Sequence, residues 1–175
     1  DEIILENREA KEIRVNDNTL EYDKIISNVD VNFTFKNLIK NFNSYESKRY
    51  SKKRPSFSGL VFYWGIKREF TELDTHNILF SSDYRNEFEY LFINKTVPDD
   101  PTIYIYISSK LNKNDAPAGK ENWFVMVNAP HIHNQNWDAE VKVGRYNIIK
   151  KINKFLNIDI EKLIEFEKIM SPFDI

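Results

Sequence analysis

Two segments of this chain alternate so strictly that they leave little choice of local conformation. In Ile103-Tyr104-Ile105-Tyr106-Ile107 the isoleucines share one face and the tyrosines the other. In the run from Trp123 to Asn128, Trp123, Val125 and Val127 oppose Phe124, Met126 and Asn128. Successive side chains of a strand point to opposite sides, whereas a helix would scatter both sets around its circumference. A third segment, Phe57 to Lys67, carries Leu60, Phe62, Trp64 and Ile66 on one face and Val61 and Tyr63 on the other. A strand with large residues on both faces is expected to be covered on both sides. Between the two alternating segments, Asn112 to Gly119 reads as a turn-rich connection.

The rest of the chain supplies partners for these strands. Residues 2 to 30 read as short strands, with a hairpin from Ile13 and Val15 through Asn16-Asp17-Asn18 to Leu20 and Tyr22. Lys24 to Asn28 reads as a short buried strand. Asp30 is placed to cap a helix whose apolar positions are Phe35, Leu38, Ile39 and Phe42. Thr75 to Phe80 is a further strand. Ser82 or Asp83 is expected to cap a helix striped by Tyr84, Phe88, Leu91 and Phe92 and closed by Pro98. Asp138 opens a long helix that buries Ile148, Ile149, Ile152, Phe155 and Leu156, and Ile164 to Met170 reads as the last strand. The expected fold class is α+β: a predominantly antiparallel mixed sheet of about five strands with helices packed on one face.

Composition narrows function mainly by exclusion. With 175 residues, 41% hydrophobic and 30% charged, the chain has enough apolar material for a real core. Its net charge of −2 gives no overall pull towards nucleic acid. The basic stretch Lys48, Arg49, Lys52, Lys53 and Arg54, with Tyr45 and Tyr50, reads as a solvated loop, and no nucleic-acid partner is expected. The absence of cysteine removes disulfides, thiolate metal sites and cysteine nucleophiles. Four glycines, Gly59, Gly65, Gly119 and Gly144, are too few and too scattered for a glycine-rich phosphate loop. The start, Asp1-Glu2-Ile3, has no initiator methionine and reads as a cut end.

No residue set stands out as catalytic machinery. His131 and His133 would share a face if extended, but the polar residues after them read as an exposed loop, and no metal site is assigned. His76 is the third histidine. Asp99-Asp100, held between Pro98 and Pro101, reads as a turn rather than an acid/base pair. What remains is a sheet face rich in Tyr, Phe and Trp. It is either core or the lining of a site for a long apolar ligand.

The order of several motifs, weak singly and specific as a series, resembles the C-terminal part of the phytoene desaturase-like flavoproteins. These are the FAD-dependent carotenoid desaturases, isomerases and retinol-saturase relatives. The resemblance runs from Tyr22-Asp23-Lys24-Ile25-Ile26-Ser27-Asn28-Val29-Asp30 through Ser58 to Lys67 and Phe80 to Phe88. It continues with Val97-Pro98-Asp99-Asp100-Pro101-Thr102-Ile103-Tyr104, Ala116 to Glu121 and Val125 to Pro130, and ends at Ser171-Pro172-Phe173-Asp174. It implies a piece of an FAD-dependent oxidoreductase whose flavin does the hydride chemistry, with the glycine-rich FAD motifs outside these residues. Residues 1–42 would be a remnant of the FAD-binding part, 43–56 a polar basic loop, and 57–175 the substrate-binding domain. Ser27, Asn28 and Asp30 would fall close to the cofactor. Phe62, Trp64, Tyr104 and Tyr106 would wall a channel for a polyene or retinoid-like substrate. FAD is not expected to bind this chain alone, and no catalytic residue is assigned within it. The implied setting is cytoplasmic, free or peripheral to a membrane. The alternative is a non-catalytic lipid-binding or protein-interaction module.

Overall fold

The computed structural model of the protein describes residues 1–39 and 45–175. The chain forms two compact units, Asp1–Arg54 and Pro55–Ile175.

In the first unit β1 (Glu2–Glu6), β2 (Glu9–Val15) and β3 (Asn18–Glu21) make an antiparallel meander. Asn16 and Asp17 turn β2 into β3 with φ of 47° and 65°. These short polar side chains tolerate the left-handed region that a two-residue hairpin turn requires, so the expected hairpin forms. The expected buried strand at Lys24 to Asn28 does not: this stretch pairs with nothing among the described residues, and Ile26 is 93% exposed. Two isoleucines in a row favour an extended chain, but without a neighbouring edge the backbone hydrogen bonds of a strand have no partners. Asp30 caps α1 (Val31–Phe33), its Oδ1 accepting from the Phe33 N–H at 2.9 Å. α1 runs straight into a π-helical turn over Thr34–Leu38. Phe42, expected on the same helix, lies outside the described residues. So does the start of the 43–56 segment, whose remainder contains a helix rather than a loop, α2 (Tyr45–Ser51). Lysine and arginine are good helix formers, no glycine or proline interrupts before Pro55, and the Tyr50 ring stacks on Phe35 at 5.6 Å.

The second unit contains β4 (Ser58–Ile66), β5 (His76–Leu79), α3 (Tyr84–Glu89), β6 (Ile103–Tyr106), β7 (Glu121–Ala129), α4 (Trp137–Leu156) and β8 (Ile164–Met170). The strands form one antiparallel sheet in the order β5-β6-β7-β4-β8. Register decides its two faces. Ile105 lies opposite Val125, Val125 opposite Phe62, and Phe62 opposite Ile169; Trp64 lies opposite Trp123. This inner face joins Ile148, Ile149 and Ile152 of α4 in one apolar core. Asn136, two residues ahead of the expected cap, accepts from the Ala139 N–H and starts α4. Phe155, expected in the core, is exposed, while Leu156 packs against it. α3 is capped by Asp83 and docks through the buried Glu87. The Asp99–Asp100 pair is structural. Asp99 accepts from the Tyr90 hydroxyl, and Asp100 joins the Ser82 turn to Lys151 of α4. No helix of the described residues is long and apolar enough to cross a membrane.

Two outcomes test this packing. A Cβ on Gly144 would stand 2.7 Å from a methyl of Leu60, a side chain with no exposure. Gly144→Ala should therefore lower stability by about 1–3 kcal/mol in urea unfolding, the range for overpacked cores. Burial raises the Asp100 pKa, but hydrogen bonds from Lys151 and from the Ser82 hydroxyl and amide outweigh it and hold the group at about 2. A depressed folded pKa gives stability that is full above the ordinary 3.8 and fades as pH falls through about 2. Asp100→Asn should lower the Tm at neutral pH, and its gap from the unsubstituted protein should close across that acidic window.

Candidate functional site

The face of the sheet turned away from α4 carries one aromatic row beside a mostly aliphatic one of Ile78, Tyr104, Met126, Val61 and Met170. The pairings of the aromatic row run straight across all five strands: His76 opposite Tyr106, Tyr106 opposite Phe124, Phe124 opposite Tyr63, and Tyr63 opposite Lys168. With strands about 4.8 Å apart, this row spans ~19 Å. Its rings touch. His76 stacks on Tyr106 at 5.0 Å, and Tyr63 meets Phe124 edge-on at 5.4 Å. Tyr104 meets Phe124 in the same edge-on way from the neighbouring row. Edge-to-face packing of this kind rigidifies the rings without covering them.

Coverage is incomplete. Tyr63 is 38% exposed and Phe166 60% exposed, although both belong to the sheet. Between them lies Gly65, paired with Asn122 on one side and Phe166 on the other. Its missing side chain leaves a notch in the face, and a groove of about 310 Å³ opens there, lined by Tyr63, Trp64, Gly65, Tyr106, Asn122, Trp123, Phe124 and Phe166. The expectation that β4 is covered on both sides thus fails at Tyr63. The reason is that α4 takes the inner face, while α3 reaches the sheet near Thr102 and Asn128 through Glu87 and beside Phe57 through Phe88.

The four residues expected to wall a channel do not share a face. Tyr104 and Tyr106 stand half-buried on the open side. Phe62 and Trp64 point the other way, at 0% and 1% exposure, into the core under α4. Trp64 is further fixed by donating from Nε1 to Glu167 at 2.7 Å, and Arg145 holds the same carboxylate through its Nε. Parity along one strand is readable from the sequence, but which faces of two strands coincide depends on register. Tyr63 and Phe124, the residues that do join Tyr104 and Tyr106, sat on the alternate parity of their own strands. Gly65 was the usable signal for the groove, since a glycine within a strand marks a place where something approaches closely.

Ser27, Asn28 and Asp30 are exposed neighbours on the irregular stretch between β3 and α1. Ser27 Oγ shares a hydrogen bond with Thr34 Oγ1 at 2.7 Å, and Asp30 is occupied as the helix cap. The Asn28 side chain makes no hydrogen bond among the described residues. The His131 and His133 rings lie 6.2 Å apart, and no cluster of three or more metal-ligating side chains occurs among the described residues. Glu87 carries no sequence signal for its role. It is 1% exposed and accepts from the Thr102 amide and hydroxyl, pinning α3 to the start of β6. Nothing local in the sequence distinguishes it from a solvated helix glutamate.

No family model matches the chain. It is 43% identical over 166 residues to the 1-hydroxycarotenoid 3,4-desaturase of Flavobacterium sp. (strain P99-3), an alignment covering 95% of this chain and 34% of that protein. To the 4,4'-diaponeurosporene oxygenase of Staphylococcus haemolyticus it is 34% identical, over 87% of this chain and 31% of that protein. To the phytoene desaturase of Fusarium fujikuroi it is 28% identical, over 86% and 30%. The chain spans about a third of the length of the curated relatives it matches. With such relatives aligned along nearly all its residues, the chain belongs to the phytoene desaturase-like family of carotenoid desaturases, whose members are generally FAD-dependent.

Proposed function

We propose that residues 57–175 form the substrate-binding part of an FAD-dependent oxidoreductase and that the open aromatic face of the sheet carries a linear polyene. The observation that supports this is the row from Tyr106 through Phe124 to Tyr63, with the groove at Gly65 beside it. A conjugated chain is flat, rigid and apolar, and it has no hydrogen bonds to offer. A band of fixed rings matches it by dispersion and π contact, and one notch sets its depth. These residues bind and orient the polyene and exclude water from it. Phe62 and Trp64 take part only from beneath, by holding β4 against α4.

When bound, FAD supplies the hydride acceptor. The described residues do not fit it as a complete site. Gly119 is their one glycine with positive φ, it stands in the β6–β7 connection, and no glycine-rich strand–turn–helix offers a cradle for the pyrophosphate. Ser27, Asn28 and Asp30 are proposed to meet the edge of the cofactor in the whole protein, with Asn28 the side chain best able to rearrange. So apolar a substrate resides in a bilayer, and the whole protein is accordingly proposed to work in the cytoplasm at the periphery of a membrane.

The full-length protein containing this chain tests the reading. Phe124→Ala should lower kcat/KM for a linear carotenoid by about tenfold or more, since a lost ring contact exceeds a lost methylene. FAD absorbance should stay close to that of the parent, and the Tm should fall only modestly, by the loss of two ring contacts. Trp64→Ala should instead lose about 3–5 kcal/mol of stability, the usual cost of emptying an aromatic site in a core. An unchanged kcat/KM in Phe124→Ala would contradict the assignment. A protein that holds polyene but never FAD would be a carrier instead.

A further inference from the structure

The aromatic row has polar ends. At one end the exposed His76 lies on the edge strand β5, and at the other stands Lys168 of β8. The ring of His76 stacks on Tyr106, directly opposite, and leans diagonally so that Nδ1 lies 2.8 Å from the hydroxyl of Tyr104. Diagonal neighbours across an antiparallel pair are within reach of long side chains. Neither the His76 ring nor the Tyr104 hydroxyl makes another hydrogen bond among the described residues. When the phenol donates to Nδ1, the imidazole carries its proton on Nε2, and the phenolic oxygen keeps a lone pair for a second partner. Together they offer one donor and one acceptor side by side, at one end of the aromatic row.

We propose that His76 and Tyr104 are specificity-determining residues that read a hydroxyl at the end of the polyene. The hydroxyl oxygen accepts from His76 Nε2–H while its proton goes to the Tyr104 oxygen. This rests on the reading of the aromatic face as the polyene surface and adds which residues meet the end group, a feature in which the names of the relatives differ. Those names include a hydroxycarotenoid, diaponeurosporene and phytoene. Geometry favours this end over the other. Lys168 offers only donors on a flexible stem, whereas stacking and a mutual hydrogen bond preorganise the histidine–tyrosine pair. A hydrocarbon end leaves the pair as it stands, so such a substrate is not rejected; it gains nothing there.

The test uses the full-length, FAD-loaded protein and two linear polyenes, one with a terminal hydroxyl and its unhydroxylated counterpart. Tyr104→Phe and His76→Phe keep the rings and their stacking while removing the hydrogen bonds. Each should lower kcat/KM for the hydroxylated polyene by roughly five- to tenfold, chiefly through KM. The same variants should leave the hydrocarbon within about twofold, with unchanged FAD absorbance. His76→Gln, which retains an amide donor, should recover part of the loss. Equal falls for both polyenes, or no fall for the hydroxylated one, would overturn the proposal while leaving the polyene face intact. A parent protein that turns over neither polyene would overturn the reading of the face itself, and this proposal with it.

Discussion

The nine unbroken pairs between β4 and β7, from Ser58 opposite Ala129 to Ile66 opposite Glu121, determine which side chains face α4 and which are left open. A slip of one residue would turn Phe62 and Trp64 out and Tyr63 in, because side chains alternate with a period of two. The slipped sheet would bury the Tyr63 hydroxyl and expose the tryptophan. The core that forms under α4 thus does two things at once. It supplies the apolar burial that holds the unit together, and by using up one parity it leaves the other, with Tyr63 and Phe124, on the open side. Gly144 and Gly65 serve the two faces separately. The first lets α4 approach Leu60, and the second keeps the groove beside Phe166 open.

Buried and half-buried carboxylates fasten this unit at several other places. Glu121, at the end of β7, is 3% exposed and accepts from the Phe70 amide and from Trp123 Nε1, with Lys110 as its counter-charge. Lys110 also donates to the Phe70 carbonyl, which closes the loop between β4 and β5 over the core. Glu167 does the same from β8, taking Trp64 Nε1 and the Arg145 Nε together. Glu87 fixes α3 to Thr102. Each of these acids has its oxygens engaged, so each acts as a fastening rather than as a reactive group; removing one would strand the partner polar atoms in apolar surroundings.

Much of this was legible from local pattern. Alternation in Ile103 to Ile107 and Trp123 to Asn128 gave two strands with their faces sorted, and Asn16-Asp17 gave the hairpin by turn chemistry alone. Asp30 and Asp83 were readable as caps because a short acceptor precedes an apolar period. The failures have one physical source, which is that local sequence does not contain its distant partner. Ile25 and Ile26 look like a strand, but no edge among the described residues receives them. Tyr45 to Ser51 looks like a loop by charge, yet its propensities and the Phe35 contact make it a helix. Aromatic character alone groups Phe62 and Trp64 with Tyr104 and Tyr106; register, a long-range property, puts the two pairs on opposite sides. The motif series carried the family where single residues did not, since its information lies in order rather than in any one site.

The most direct measurement is an experimental structure of the full-length, FAD-loaded protein with a linear carotenoid bound. The polyene should lie across the strands in van der Waals contact with Tyr106, Phe124 and Tyr63, with Phe62 and Trp64 still covered by α4. A carotenoid bound elsewhere, with this face closed over by other protein segments, would contradict the account.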